Sequence, residues 1–280
     1  MAVSVSAIVP NAARSLLKRG ATLAATIGSA GYVAALAWLY WRQERRLFHP
    51  EPLPADHRFA LPGVDEIWID VDGARLSALH LKLPRPEGFM FFLHGNRGNL
   101  ATWFTDLEFF REANYDLFMI DYRGYGHSTG RIESEAQLRA DVRAAWNCVA
   151  PQYAQRRKVI YGRSLGTALA AGLASEVQPD LTILVSPYSS MEDLMRERYP
   201  LVPTALLRYP LATCQDVGRI RTPVFLIHGE HDDLIPFSHS ERILSYAAQA
   251  RLVCIPGAAH SDIHEFGAYN DAVMRVLKSL

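Results

Sequence analysis

Residues 158–167 read Lys-Val-Ile-Tyr-Gly-Arg-Ser-Leu-Gly-Thr. A β-branched, apolar run leads into a Gly-x-Ser-x-Gly motif, and a run rich in alanine and leucine follows it. This order predicts a strand, a sharp turn and a helix, with Ser164 at the tip of the turn. Gly162 and Gly166 fit this turn because a side chain at either position would collide with the neighbouring strand or helix. Gly-x-Ser-x-Gly alone is common, but its strand–turn–helix context makes Ser164 a candidate nucleophile.

Strands and helices alternate along most of the chain. Runs that predict strands occupy 66–71, 76–83, 89–93, 116–121, 158–161, 181–185, 224–227 and 251–255. Helices are predicted for 134–149, 165–177, 238–248 and 266–280. The pattern predicts the α/β fold class, with a mostly parallel sheet covered by helices on both faces. The first two strands flank Asp72-Gly73 and predict an antiparallel hairpin. Ligands of such sheets bind beyond the carboxyl ends of the strands.

The loops at these strand ends contain partners for a serine nucleophile. A serine hydroxyl needs a base to take its proton and an acid to orient that base. In sheet enzymes of this kind, the order along the chain is serine, acid, histidine. The candidates after Ser164 are, as acids, Glu230, Asp232 and Asp233 and, as bases, His260 and His264. His260 is preferred because it follows a strand and a loop of small residues directly. The predicted reaction is acyl transfer to Ser164, followed by hydrolysis by a water that His260 activates.

With these residues in place, the chain from Glu66 to Leu280 resembles the α/β-hydrolase superfamily. It is similar in particular to the small membrane-anchored serine hydrolases of the α/β-hydrolase-domain group. The motifs that carry the resemblance are Leu47–Pro50, His94–Asn99 (HGNxGN), Asp121–Gly130 (DYRGYGxSxG), Gly162–Gly166, Ser186–Ser190, His228–Asp232 (HGxxD) and Gly257–His260 (GxxH). Each motif is weak alone, but their order and strand contexts together are specific.

The resemblance implies roles for individual residues. The HGxxD spacing implies Asp232, rather than Asp233, as the acid of the triad. The resemblance also implies an oxyanion hole made by the backbone N–H groups of Asn96 and Leu165. The implied activity is a serine hydrolase that cleaves carboxylic ester or thioester bonds. A serine peptidase of the same fold and a catalytically silent scaffold at the membrane remain alternatives.

The segment from about 187 to 222 is expected to form a short lid. Its apolar residues either form an acyl groove or simply cover the sheet, and the sequence favours neither. A small lid near a membrane anchor suits a lipid-like or S-acylated substrate, which is an inference from analogy and position.

The N-terminal segment contains a stretch, 21–41, without charged side chains. About 20 apolar residues suffice for a helix that crosses the hydrocarbon core of a membrane. We therefore expect an N-terminal segment 1–46 with a single-pass membrane helix at 21–41, a linker at 47–65 and a hydrolase domain at 66–280. Three basic residues lie on each side of the stretch, so its orientation is undetermined. A cleaved signal peptide or an organelle transit peptide remains an alternative.

The composition limits the partners of the protein. Lys+Arg 29 balances Asp+Glu 29, which gives no electrostatic basis for binding nucleic acid. Three scattered cysteines, Cys148, Cys214 and Cys254, argue against a disulfide framework and have no metal-ligand spacing. Cys148 and Cys254 lie in a predicted helix and strand, so we expect them to pack in the core. The sequence shows neither a phosphate-binding glycine loop nor a metal-ligand cluster, and we expect no cofactor and no metal.

Overall fold

The structure is a computed structural model that describes residues 11–280, and it divides into two compact units. The first ten residues of the predicted segment 1–46 lie outside the described part. The first unit ends at Gln43 and contains helix α1, Asn11–Trp41. Within α1, Lys18–Trp41 is long and apolar enough to cross a membrane, and no residue of this span is buried. At a rise of about 1.5 Å per residue, this span is about 36 Å long.

The second unit, Glu44–Leu280, is built on a sheet that has eight strands within the described residues. The strands are β1 Val64–Val71, β2 Ala74–Leu81, β3 Gly88–Leu93, β4 Tyr115–Ile120, β5 Arg157–Arg163, β6 Leu181–Val185, β7 Val224–Gly229 and β8 Ala250–Ile255. Their order across the sheet is β1-β2-β4-β3-β5-β6-β7-β8. β2 runs antiparallel to β1 and β4, and all the other neighbouring pairs are parallel. The predicted α/β fold class is confirmed.

Helices of the second unit connect these strands and cover the sheet. After α1 they are α2 Gln43–Leu47, α3 Leu100–Trp103, α4 Leu107–Ala113, α5 Glu135–Val149, α6 Gly166–Val177, α7 Met191–Arg198, α8 Thr213–Val217, α9 Ser238–Leu244 and α10 Gly267–Lys278. Short 3₁₀ turns cover Ala150–Tyr153, Thr204–Leu206 and Ile263–Glu265. α9 is shorter than the predicted helix 238–248, because the amides of Tyr246 and Ala247 bond to carbonyls three residues back, which ends the α pattern.

The core lies on both faces of the sheet. All residues of β3 are buried, as a continuous apolar run predicts for a central parallel strand. Phe89 and Phe91 belong to the apolar cluster that includes α5 and α6, whereas Met90 and Phe92 belong to the cluster that includes α4 and α10. Burial of each such side chain contributes about 1.5–3 kcal/mol. This packing holds the central strands in register, so that the strand ends, where the predicted site lies, keep their positions relative to one another.

Residues 47–65, which the sequence predicts as a linker, lie along the domain. Phe48 is only 4% exposed. His49–Pro50 forms a parallel pair with Arg97–Gly98, and Pro52 forms a bridge with Gly126. Their prolines make these residues look like a linker in the sequence, because proline disrupts a regular strand. Proline does not, however, prevent the segment from packing against the domain.

The lid region divides into buried and exposed parts. Tyr209 is buried, with its ring centroid 5.2 Å from that of Phe48. Tyr199 and Leu201 are 52% and 81% exposed. The apolar residues of this region therefore cover the domain at Tyr209 and reach the surface at Tyr199 and Leu201.

The prediction that Cys148 and Cys254 pack in the core is wrong. Both side chains are exposed, and only Cys214 of the three is buried. Cys148 lies beside, not on, the buried face of α5, and Cys254 lies on β8, the edge strand of the sheet. Helix and strand periodicity predicts a buried face, but it does not predict which element lies at an edge.

Candidate active site

Ser164 lies on the sharp turn between β5 and α6. Its φ is 53°, a left-handed value that is rare for serine, and its N–H donates to the carbonyl of Val185 at 2.9 Å. A Cβ at Gly166 would overlap the carbonyl of Leu93 on the neighbouring strand. A Cβ at Gly162 would collide with the backbone of Gly166. The two glycines of the motif are thus required by close approach of the backbone, and the turn holds the serine beyond the strand end.

Ser164, His260 and Asp232 form one hydrogen-bonded chain. The Oγ of Ser164 lies 3.0 Å from Nε2 of His260, and Nδ1 of His260 lies 2.7 Å from Oδ2 of Asp232. A carboxylate only accepts, so Nδ1 carries the proton and Nε2 of the neutral ring is free to accept from the serine hydroxyl. The three residues follow β5, β7 and β8, and the parallel sheet brings their loops to one edge.

Asp232 is buried and accepts several hydrogen bonds. Its Oδ1 accepts from the backbone N–H groups of Leu234 at 3.0 Å and Ile235 at 2.7 Å. Burial alone would raise the pKa of Asp232. The hydrogen bonds from His228, His260 and the amide of Ile235 outweigh it and hold the pKa below its ordinary value. Asp232 is therefore ionised at neutral pH and can stabilise a protonated histidine.

The loop after β3 lies directly beside the serine. A Cβ at Gly95 would be 3.7 Å from the Cβ of Ser164. Asn96 is the next residue, and Leu165 begins the turn into α6 on the other side of Ser164. The side chain of Asn96 donates to the carbonyl of Leu47 at 3.0 Å, so it serves the loop rather than the site. Arg97 is exposed, as expected for a solvated arginine.

A buried polar pair lies behind this loop. Nε2 of His94 is 3.7 Å from Oδ1 of Asp121, and both side chains are fully buried. Burial lowers the pKa of His94 to about 4 and raises the pKa of Asp121 to about 8. Both groups are therefore mainly uncharged at pH 7. Asp121 also accepts from the amide of Leu100 at 3.0 Å, which ties this loop to the end of β4.

The other candidates stay outside the hydrogen-bonded chain. Asp233 is exposed, and His264 is exposed in the 3₁₀ turn that precedes α10. Glu230 accepts from the amide of Gly257 at 3.0 Å. Among the described residues, no group of three or more His, Cys, Asp or Glu side chains is arranged to hold a metal.

Known proteins are similar to this chain in sequence and in fold. The family model "Serine aminopeptidase, S33" (Hydrolase_4) matches residues 84–212. An uncharacterized protein of Mycobacterium tuberculosis (strain H37Rv) is 32% identical over 235 residues, which cover 79% of this chain and 82% of that protein. Alpha/beta hydrolase domain-containing protein 17B of Xenopus tropicalis is 30% identical over 204 residues, or 70% of this chain and 69% of that protein. The chain belongs to the α/β-hydrolase superfamily. An esterase of Pyrococcus furiosus has a similar fold, with a TM-score of 0.66 and 19% identity over 84% of this chain and 98% of its own.

Arg163 of this α/β-hydrolase has a role that the sequence did not predict. It fills a variable position of Gly-x-Ser-x-Gly, yet it is only 9% exposed. Its Nη2 donates to the carbonyls of His260 at 3.1 Å and Ser261 at 3.3 Å. The guanidinium carbon lies 5.6 Å from the ring centroid of Trp103. Arg163 thus joins the serine turn to the histidine loop, and no local pattern signals this contact.

His228 is a second histidine that contacts Asp232, and the sequence did not predict that contact either. Its Nε2 lies 2.8 Å from the carbonyl of Ile235 and 3.2 Å from Oδ2 of Asp232. Both partners accept, so Nε2 carries a proton. Its Nδ1 lies 2.6 Å from Oγ of Ser240. The HGxxD motif contains His228, but only the folded loop shows that its ring faces Asp232.

Proposed function

We propose that this α/β-hydrolase is a serine hydrolase that cleaves carboxylic ester or thioester bonds through an acyl-enzyme on Ser164. His260 is the general base and Asp232 the acid that orients it. The observation that supports this proposal best is the chain of hydrogen bonds from Ser164 to His260 and Asp232, at 3.0 and 2.7 Å, with the half-buried serine on a strand–turn–helix.

The proposed reaction has two steps with the same acid and base. In the first, Nε2 of His260 takes the hydroxyl proton while Oγ of Ser164 attacks the carbonyl carbon. The resulting oxyanion accepts from the N–H groups of Asn96 and Leu165, and loss of one such donor typically costs about 2.7–4 kcal/mol. The leaving alcohol or thiol takes the proton from His260. In the second step, water attacks the acyl-enzyme in the same way and releases the acid.

We further propose that α1 anchors the catalytic domain in a membrane as a single-pass helix. The length and apolar character of Lys18–Trp41 support this, although a signal sequence has the same properties. A membrane location and the exposed Tyr199 and Leu201 favour an acyl substrate that is lipid-like or attached to a cysteine. Resistance of the full chain to carbonate extraction would support the anchor, and release into the soluble fraction would contradict it.

A serine peptidase of the same fold is the second candidate. The description of the family model, a serine aminopeptidase, favours it. The two activities differ in the leaving group, so we expect turnover of p-nitrophenyl esters and acyl-cysteine peptides but not of aminoacyl anilides. Faster turnover of the anilides would assign the peptidase instead.

A fluorophosphonate probe tests the nucleophile. It should label the wild-type chain, and the Ser164→Ala variant should not be labelled although it remains folded. Ser189→Ala is a matched control, because Oγ of Ser189 also contacts a histidine, at 2.8 Å from Nδ1 of His239, but is fully buried. This control should still be labelled. Labelling of Ser164→Ala, or no labelling of wild type, would reject the proposal, and the second result would favour a non-catalytic scaffold.

A further inference from the structure

The segment Glu44–Leu53, called the strap below, is bonded to the loop that holds Asn96. The side-chain amide of Asn96 donates to the carbonyl of Leu47 at 3.0 Å. The backbone N–H of His49 donates to the carbonyl of Asn96 at 2.8 Å. Farther along, the side-chain amide of Asn99 donates to the carbonyl of Glu51 at 2.7 Å. The loop after β3 is thus held along its length by a segment that lies outside the central sheet.

Tyr125 completes this arrangement from the loop after β4. Its hydroxyl donates to the carbonyl of Asn96 at 2.7 Å and accepts from the N–H of His49 at 3.2 Å. The Tyr125 side chain is fully buried. The carbonyl of Asn96 therefore accepts hydrogen bonds from two donors. The side chain of Asn96 makes a third hydrogen bond, to the carbonyl of Leu47.

Other residues of the strap contact the lid region. The buried ring of Phe48 packs edge-on against Tyr209, and the hydroxyl of Tyr209 donates to Oε1 of Glu44 at 3.0 Å. Arg208 forms an ion pair with the same carboxylate. The strap is therefore held both by the loop and by the lid region, which limits its freedom to move away from the loop.

We infer that the strap and Tyr125 position the backbone N–H of Asn96 for the oxyanion. This inference rests on the proposed function, because it requires Asn96 to be an oxyanion donor. The glycines of the loop, Gly95 and Gly98, give its backbone conformational freedom, and Gly98 has a φ of 85°. The indole N–H of Trp103 restrains the part of the loop after Asn96 by donating to the carbonyl of Arg97 at 2.7 Å. Hydrogen bonds to the Asn96 carbonyl and side chain remove that freedom, which is the pre-organisation that oxyanion stabilisation requires.

Tyr125→Phe in the full-length protein tests this positioning role, because it removes one hydroxyl and keeps the ring. We expect kcat to fall about tenfold with KM unchanged, since an oxyanion donor acts in the transition state more than in the ground state. The affinity for a boronic acid, which mimics the tetrahedral intermediate, should fall by the same factor. Asn96→Ala, which keeps the backbone N–H but loses the bond to Leu47, should show the same two changes.

Tyr161→Phe is the matched control, because it removes another buried hydroxyl, which contacts Tyr269 away from the strap. It should retain the wild-type kcat and boronic acid affinity. If Tyr125→Phe keeps wild-type values, or if only its KM changes, Tyr125 does not position the donor, and the same result for Asn96→Ala would exclude that role for the strap. In either case the hydrolase proposal stands. If wild type neither reacts with the fluorophosphonate nor turns over any ester, the proposed function itself fails.

Discussion

Replacement of Arg163 by alanine should slow the proposed reaction about ten- to a hundredfold, although the variant still contains both Ser164 and His260. The guanidinium is the group that joins the serine turn to the histidine loop through the carbonyls of His260 and Ser261. Without it, the loop loses hydrogen bonds from a charged and largely buried donor. The imidazole would then occupy its productive position in fewer molecules.

The size of the effect follows from these contacts. A hydrogen bond from a charged donor contributes about 1.5–3 kcal/mol. Because about 1.4 kcal/mol corresponds to a factor of ten, loss of this restraint lowers the productive population about 10- to 150-fold. Part of the restraint survives, since Nδ1 of His260 still bonds to Asp232 and the amide of Ala259 still donates to Asp262 at 2.7 Å. We therefore expect the lower part of this range.

The assay is kcat/KM for a p-nitrophenyl ester, measured well below the unfolding temperature of each variant. Arg163→Lys should lie between wild type and Arg163→Ala, because an ammonium can donate to a carbonyl but cannot reproduce the planar guanidinium. Arg157→Ala is the control: Arg157 begins the same strand and pairs with Glu87 at the surface, so its loss should leave the rate unchanged. A wild-type rate for Arg163→Ala would refute the reasoning. A change in KM alone, confined to anionic substrates, would show that Arg163 binds substrate instead.

Substitutions at three further buried residues test other parts of the structure. His228→Phe removes the N–H that faces Asp232 and should lower kcat about tenfold, whereas His228→Gln, whose amide can still donate there, should restore most of it; equal rates for both would contradict this role. Arg123→Met leaves Asp141 buried without its ion-pair partner, so urea titration should show a loss of about 3–5 kcal/mol, and a loss below 1 kcal/mol would refute it. Burial raises the pKa of Asp121 to about 8, so its contribution to wild-type stability is lost as the pH rises from about 4 through 8. Asp121→Asn should lack that loss, and identical pH profiles of stability would count against it.

The fold was predictable because its signals are local. The apolar runs that became β3 to β8 and the glycines around Ser164 depend on residues within a few positions of one another. The candidate site was predictable from the order of serine, acid and histidine along the chain. In a parallel sheet the carboxyl ends of successive strands meet at one edge, so residues far apart in sequence come together there. The choice of Asp232 over Asp233 came from the spacing of a motif, and the structure gives the physical difference: one carboxylate is buried among donors and the other is exposed.

The remaining interactions could not be predicted because they join segments that no sequence period relates. Arg163 bonds to a carbonyl 97 residues away, and Asn96 to one 49 residues away. Prolines in the strap indicate an irregular backbone but not the surface against which it packs. The exposed Cys254 shows the same limit, since periodicity assigns a face to a strand but not a position in the sheet.

These long-range contacts suggest how the proposed site is built. Ser164 is positioned by its own turn, in which the backbone approaches so closely that two positions require glycine. This part of the site therefore depends only on residues near Ser164 in the sequence. His260 and Asn96 lie on loops that are rich in small residues, and in each loop a hydrogen-bonding partner from elsewhere in the chain holds the backbone beside the site: Arg163 for one and the strap for the other. Replacement of Gly162 or Gly166 by alanine should therefore lower both the stability of the fold and the rate of the reaction, because the added Cβ would overlap the backbone of Gly166 or of Leu93. Substitutions in Arg163 or the strap should lower kcat while the fold and the labelled serine persist, because only the orientation of the base or of the oxyanion donor is lost.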